Sequence, residues 1–174
     1  MYVTGGRRSG KSAFAQAMAE QSAGGKVYIA TCPVIDQETR ARVDDHKKAR
    51  EGKGWVTVEE ELDLACAIGR AGSADVILVE CLTLWVNNML YQAQMEEAPA
   101  ERETVEKMMD KVLDTAGGAG STVIFVSNEV GLGIIPENPL ARKFSDIAGS
   151  VNQLAAARAD EAYLVVSGLA QKLK

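Results

Sequence analysis

Histidine is nearly absent from these 174 residues: the chain has one, His46. Its three cysteines, Cys32, Cys66 and Cys81, show no CxxC spacing, and with a single histidine they exclude any zinc pattern. Cys32 and Cys81 follow apolar strand-like runs and Cys66 lies in a helical run, so all three read as reduced packing residues. Basic residues do not predominate. Lysine and arginine number 19 against 24 acids, a net charge of −5, which gives no support to a nucleic-acid-binding surface. No apolar run approaches the roughly 20 residues that span a bilayer. No signal peptide precedes the first strand, so a cytoplasmic location is expected. Repeats, low-complexity tracts and linkers are also missing, and one domain over residues 1–174 is expected. What remains is an ordinary globular composition, 47% apolar and 25% charged, long enough for a substantial core.

The first feature with a mechanism lies at the start of the chain. Gly5-Gly6-Arg7-Arg8-Ser9-Gly10-Lys11-Ser12 fits the P-loop pattern G-x-x-x-x-G-K-[ST] at every fixed position. It follows the short apolar stretch Tyr2-Val3-Thr4 and runs into a helical one, the strand–loop–helix context the motif needs. Loop N–H groups turned inward bind phosphate oxygens, and the helix N-terminus adds partial positive charge. Lys11 is expected at the β- and γ-phosphates and the Ser12 hydroxyl on Mg²⁺. A turn that merely joins a strand to a helix needs a glycine or two, not a lysine and a hydroxyl at fixed offsets. The motif indicates a nucleoside triphosphate without indicating the reaction.

Nearly continuous apolar runs at Tyr2–Thr4, Lys26–Thr31, Asp75–Glu80, Thr122–Ser127 and Ala162–Ser167 read as buried parallel strands. Helical patterns fall near 11–22, 36–51, 59–71, 83–95, 100–116 and 139–158. The alternation predicts an α/β protein, a three-layer P-loop NTPase fold whose mostly parallel sheet has helices on both faces. Ligands on such sheets sit at the carboxyl ends of the strands. There the run I-L-V-E ends in Glu80, the form of a second nucleotide-binding element that holds Mg²⁺, although such folds mostly use aspartate; the plainer reading is a strand-terminal acid. Thr31-Cys32-Pro33 and Ser127-Asn128-Glu129 end two other strands, and each taken alone reads as a turn.

A GTPase switch finds little support. D-T-A-G at 114–117 and D-I-A-G at 146–149 resemble a switch motif but lie in helical patterns, and no N-K-x-D occurs. D-T-A-G reads instead as a helix end with a glycine C-cap.

His46 lies in R-A-R-V-D-D-H-K-K-A-R, where helical spacing puts Arg42 and Arg50 on its face, an anion-facing surface. The residues alone favour a solvated, charged helix, although this segment follows the second strand, where small P-loop kinases often place acceptor-binding helices.

Taken together, these segments resemble the bifunctional adenosylcobinamide kinase / adenosylcobinamide-phosphate guanylyltransferase family of cobalamin biosynthesis, nearly end to end. The generic part is V-T-G-G-R-R-S-G-K-S at 3–12. Further matching parts are R-V-D-D-H-K-K-A-R at 42–50, W-V-T-V-E at 55–59 and L-V-E-C-L-T at 78–83, and the set specific to the family is C-terminal, with S-N-E-V-G-L-G-I-I-P-E-N-P-L-A-R at 127–142 and F-S-D-I-A-G-S-V-N-Q at 144–153. The resemblance implies two reactions: phosphorylation of adenosylcobinamide by ATP or GTP, then transfer of GMP from GTP to that phosphate through a GMP–histidine intermediate. His46 aligns with the family's nucleophile, which reverses the reading from the residues alone; some relatives have a second histidine where this chain has Asp45. Thr31, Cys32, Pro33, Lys47, Lys48, Ala49, Arg50 and Glu59 fall where the family contacts guanine nucleotide, and Glu80 fits a metal or acceptor-hydroxyl role. A homotrimer is implied as well. The alternatives are a P-loop kinase for another small alcohol and a GTP-binding switch module.

Overall fold

The structure, a computed structural model, describes residues 1–34, 36–99 and 101–174, with the side chains of Glu38 and Arg42 left aside. Arg42, one of the two arginines expected beside His46, therefore lies outside the described side chains.

One seven-stranded sheet organises the chain, in the order β3-β2-β4-β5-β1-β6-β7. The strands are β1 (Tyr2–Gly5), β2 (Lys26–Ala30), β3 (Trp55–Glu59), β4 (Val76–Glu80), β5 (Thr122–Asn128), β6 (Ala162–Val166) and β7 (Leu169–Lys172). All neighbours pair in parallel except β6 and β7, which form an antiparallel hairpin. The helices are α1 (Lys11–Ala19), α2 (Gln37–Arg50), α3 (Leu64–Ala71), α4 (Leu82–Met95), α5 (Arg102–Gly118) and α6 (Pro139–Arg158). The sheet is mostly parallel and helices cover both faces, as expected. Among the described residues no helix is long and apolar enough to cross a membrane.

Side chains alternate across each strand, and the strands' apolar content therefore splits into two cores. Val3, Val76, Leu78, Ile124, Val126 and Val165 face α1 and pack on Ala15 and Ala19. Tyr2, Ile29, Ile77, Val79, Val123 and Phe125 face the other way, onto Leu64 and Ile68 of α3, Trp85 of α4, Met109 of α5 and Val151 of α6. Burial on both faces is why these strands read as continuous apolar runs.

The helices start where side chains can satisfy their first N–H groups. Asp36 accepts from Thr39 N (2.7 Å), Asp63 from Cys66 N (3.1 Å), and Asn138 from Leu140 N (2.8 Å) and Ala141 N (3.1 Å), with Pro139 in the first turn.

Several expectations need correction. The pattern at 59–71 holds a strand end and a loop before α3 begins at Leu64, because Glu59 completes β3. β3 and β7 were not anticipated. Both are edge strands with largely exposed residues, and so carry no continuous apolar run. Ser167-Gly168, with φ of 52° and 81°, makes the two-residue turn between β6 and β7, where the sequence pattern continues a strand to Ser167. Helix α5 runs through Gly117 and Gly118 to an Ala119 cap, so D-T-A-G is helical but Gly117 is not its C-cap. Cys81 is buried and Cys32 half-buried, but Cys66 is exposed and packs little.

Candidate functional site

The P-loop leaves the buried strand β1 and turns sharply into α1. Gly10 takes a left-handed conformation (φ 94°) as the N-cap of α1, and Arg8 lies in the same region (φ 58°). No side chain caps α1 and no acid occupies its first turn, so its leading N–H groups face outward for an anion. The loop is braced from outside: Ser9 O accepts from Gly168 N in the β6–β7 turn (2.8 Å). The hairpin that the sequence concealed is thus the buttress of the phosphate loop. Gly5 has no room for a side chain, since a Cβ would run into the Val165 carbonyl oxygen and the Ser9 hydroxyl. Gly5→Ala is expected to cost about 2 kcal/mol by overpacking. The melting temperature should fall by about 4–8 °C in thermal denaturation.

Lys11 is buried and its Nζ lies 3.4 Å from Gly6 O, folded over the loop it belongs to. Arg7 and Arg8 are exposed, while Ser9 is buried and its hydroxyl has no hydrogen-bond partner among the described residues. Helix α1 lies across β4, β5, β1 and β6, and this places its first turn within reach of the end of β4, two strands away from β1. Ser12 Oγ there donates to Glu80 Oε1. The two oxygen donors that sequence reasoning assigned to a metal are therefore in direct contact. Among the described residues no cluster of three or more acids, histidines or cysteines could hold a metal. A hydroxyl and one carboxylate fit Mg²⁺, which binds through one or two protein oxygens and takes the rest from phosphates and water.

The other Glu80 oxygen, Oε2, accepts from the Tyr28 hydroxyl (3.4 Å). Burial first, and then the neighbouring Glu80 charge, hold the Tyr28 phenol well above its usual range, so it stays a donor. The Arg50 guanidinium lies over the Tyr28 ring, 3.4 Å from its centroid. Arg50 Nη2 donates to Thr57 Oγ1 (3.4 Å), whereas Nε and Nη1 are buried without a partner. Those two donors need an acceptor that the described residues do not supply.

Arg50 ends α2, whose less exposed stripe is Thr39, Val43, His46 and Arg50. His46 sits one turn before Arg50 on that stripe, half-buried, and makes no hydrogen bond with the described residues. The last turn of α2 is fixed at three points: Ala49 O accepts from Gln16 Nε2 of α1 (3.0 Å), Arg50 stacks on Tyr28, and Lys47 pairs with Glu59 (3.1 Å). A cleft of about 470 Å³ opens beside it, lined by Asp44, Lys47, Lys48 and Arg50 of α2 and by Trp55 and Thr57 of β3.

Thr31 sits apart from the open part of the site. It is fully buried, and its hydroxyl accepts from Cys81 N (2.7 Å) and donates to Cys81 O (2.9 Å). Its own N–H donates to Glu80 O (3.0 Å) and its carbonyl accepts from Asn88 Nδ2 (2.8 Å). Thr31 thus fastens the end of β2 to the corner after β4 and fixes where Glu80 points. Its polar groups are thus engaged within the protein. Cys32 and Pro33 follow it half-buried at the same edge. Thr83 and Asn128 extend this fastening to β5, with Asn128 Nδ2 donating to Thr83 Oγ1 (2.8 Å).

The structure therefore brings Lys11, Ser12 and Glu80 together at one sheet edge, and Lys47, Lys48, Arg50 and Glu59 together at the end of α2. Tyr28 joins the two groups. Sequence reasoning misses it because a tyrosine inside an apolar strand looks like core; only the register that sets it two residues short of Glu80's level marks it (Tyr28↔Leu78, Ala30↔Glu80).

Comparison with known proteins places the chain among relatives matched along nearly its whole length. The model of the family described as cobinamide kinase / cobinamide phosphate guanyltransferase matches residues 1–173. The bifunctional adenosylcobalamin biosynthesis protein CobU of Salmonella typhimurium is 43% identical, the match covering 99% of this chain and 98% of that protein. Its namesake in Escherichia coli strain K12 is 39% identical over 99% and 98% of the two chains. The bifunctional adenosylcobalamin biosynthesis protein CobP of Pseudomonas aeruginosa is 37% identical over 99% and 95%.

Proposed function

The chain belongs to the cobinamide kinase / cobinamide phosphate guanyltransferase family, and from that premise we propose that it carries out both reactions at one nucleotide site. In the first, the γ-phosphoryl group of ATP or GTP passes to the hydroxyl of the aminopropanol arm of adenosylcobinamide, and the nucleoside diphosphate leaves. In the second, a nitrogen of the His46 imidazole attacks the α-phosphorus of GTP. A P–N bond forms and pyrophosphate departs. An oxygen of the cobinamide phosphate then attacks that phosphorus, the P–N bond breaks, and adenosyl-GDP-cobinamide leaves with His46 restored.

The observation that carries this reading is the convergence at one sheet edge of the P-loop, Glu80 and the end of the helix bearing the chain's only histidine. Loop N–H groups of Gly6 to Gly10 would hold the phosphates, and Lys11 would neutralise charge that grows on their oxygens in either attack. Ser12 and Glu80 would hold Mg²⁺, which when bound screens the phosphate charges. Arg50 has two buried donors to spare for an anion, and Lys47, Lys48 and Ala49 line the same turn, with Glu59 holding Lys47 in place.

The test uses the purified protein with adenosylcobinamide, GTP and Mg²⁺. Cobinamide phosphate should appear first, then GDP-cobinamide with an equal amount of pyrophosphate. Phosphorylation without pyrophosphate would leave a kinase alone, and tight GDP retention without either product would leave a binding module.

A further inference from the structure

We propose that Tyr28 is a positioning residue for both transfers: its hydroxyl orients Glu80 beneath the P-loop, and its ring seats Arg50 at the end of the His46 helix. This rests on the reading that Glu80 and Arg50 serve one nucleotide, and adds a part that neither the P-loop motif nor the histidine helix contains.

A tyrosine buried on an apolar strand could be filler, but phenylalanine would fill the same space without a hydroxyl to desolvate. Tyr28 is 5% exposed and its hydroxyl donates to Glu80 Oε2. The opposite oxygen of that carboxylate is held by Ser12. A carboxylate gripped at both oxygens has its plane fixed, and a fixed plane is what a Mg²⁺ ligand shared with phosphates requires.

The ring does separate work. Arg50 Cζ lies over one face, 3.4 Å from the centroid, and the Trp55 ring meets Tyr28 edge-on, with centroids 6.3 Å apart and planes at 84°. Trp55 is itself tied through Nε1 to Glu20, the C-cap of α1 (3.2 Å). The ring is thus wedged between an anchored indole and a guanidinium, and the Arg50 side chain reaches Thr57 only at long range (3.4 Å). Stacking on an aromatic face in a desolvated setting holds the guanidinium while leaving its Nε and Nη1 donors open. A carboxylate partner would have used those donors up.

Two variants separate the hydroxyl from the ring, with equilibrium GTP binding by calorimetry, with and without Mg²⁺, as the readout beside turnover. Tyr28→Phe keeps the ring. It should weaken GTP binding in Mg²⁺ about fivefold and leave Mg²⁺-free binding at the parental value, since one hydrogen bond to a charged group is lost. Tyr28→Met fills the space without a ring. It should lose a further tenfold or so, with or without Mg²⁺, as Arg50 loses its platform. The phenylalanine variant therefore rescues the second loss and not the first. Parental Mg²⁺-dependent binding in Tyr28→Phe overturns the hydroxyl's role, and equal binding in the two variants overturns the ring's. If Tyr28→Met melts below the assay temperature, the Tyr28→Phe comparison decides alone. Should the parental protein itself bind no GTP, it is the functional reading that fails; parental binding matched by both variants sinks only the role of Tyr28.

Discussion

Replacing His46 with alanine is expected to remove guanylyl transfer, by a factor on the order of 10⁴ or more, while kinase turnover changes by less than about tenfold. The asymmetry follows from the two chemistries. Phosphoryl transfer to cobinamide needs the nucleotide held and its charge neutralised, tasks assigned to the P-loop, Lys11 and Glu80. Guanylyl transfer through a covalent intermediate needs a nucleophile, and no other histidine exists in the chain to replace it. The fold should tolerate the change. His46 is half-buried, makes no hydrogen bond with the described residues, and lies within a helix that alanine favours. A parental melting curve beside the loss of pyrophosphate release is the expected pair of results. Equal loss of both activities would mean that His46 serves structure instead.

Lys11→Ala should do the opposite and depress both reactions together, each by about 10²–10³-fold. In the proposed site, attack at the γ-phosphorus and attack at the α-phosphorus would both push charge onto oxygens cradled by the same loop. Lys11 is the loop's buried cation, folded against Gly6 O where those oxygens would lie. Its removal deletes a donor whose value is raised by exclusion of water. Stability is not the source of the effect, because taking away a buried amine spares the folded state its desolvation. Initial rates of cobinamide phosphorylation and of pyrophosphate release, taken on one preparation, check this. A variant that loses only one rate would mean that the two reactions use different phosphate sites.

The residues proposed to hold phosphate were legible in the sequence because their chemistry constrains both type and spacing. A lysine and a serine directly after a glycine at the mouth of a helix suit little besides a phosphate, and an acid closing an apolar strand gains meaning once that loop is upstream. The sheet's centre was legible for a different reason: strands buried on both faces must be apolar throughout. That same logic hid β3 and β7. An edge strand has one neighbour and one exposed side, so W-V-T-V-E and L-A-Q-K carry no continuous run. With β7 went the turn at Gly168 that braces Ser9, a contact between residues 159 positions apart. Thr31 reads from the residues alone as part of a turn and from the family resemblance as a nucleotide contact, and its place in the structure is a buried fastening between two strand ends. Tyr28 was invisible because its role depends on register against β4 and on the return of α2, neither of which a single sequence displays. His46 marks the limit: the residues around it favour a solvated helix, and the family resemblance, not local pattern, singles it out.

One measurement bears most directly on the claim that the P-loop nucleotide presents its α-phosphorus to His46. GTP labelled at the α-phosphate is incubated with the parental protein and Mg²⁺ without cobinamide phosphate, and the protein is digested and its labelled peptide identified. The account predicts a label that is labile to acid, stable to base, confined to the peptide containing His46, and released as GDP-cobinamide on addition of cobinamide phosphate. Label on any other residue, or none while GTP is bound and pyrophosphate is released, would contradict it.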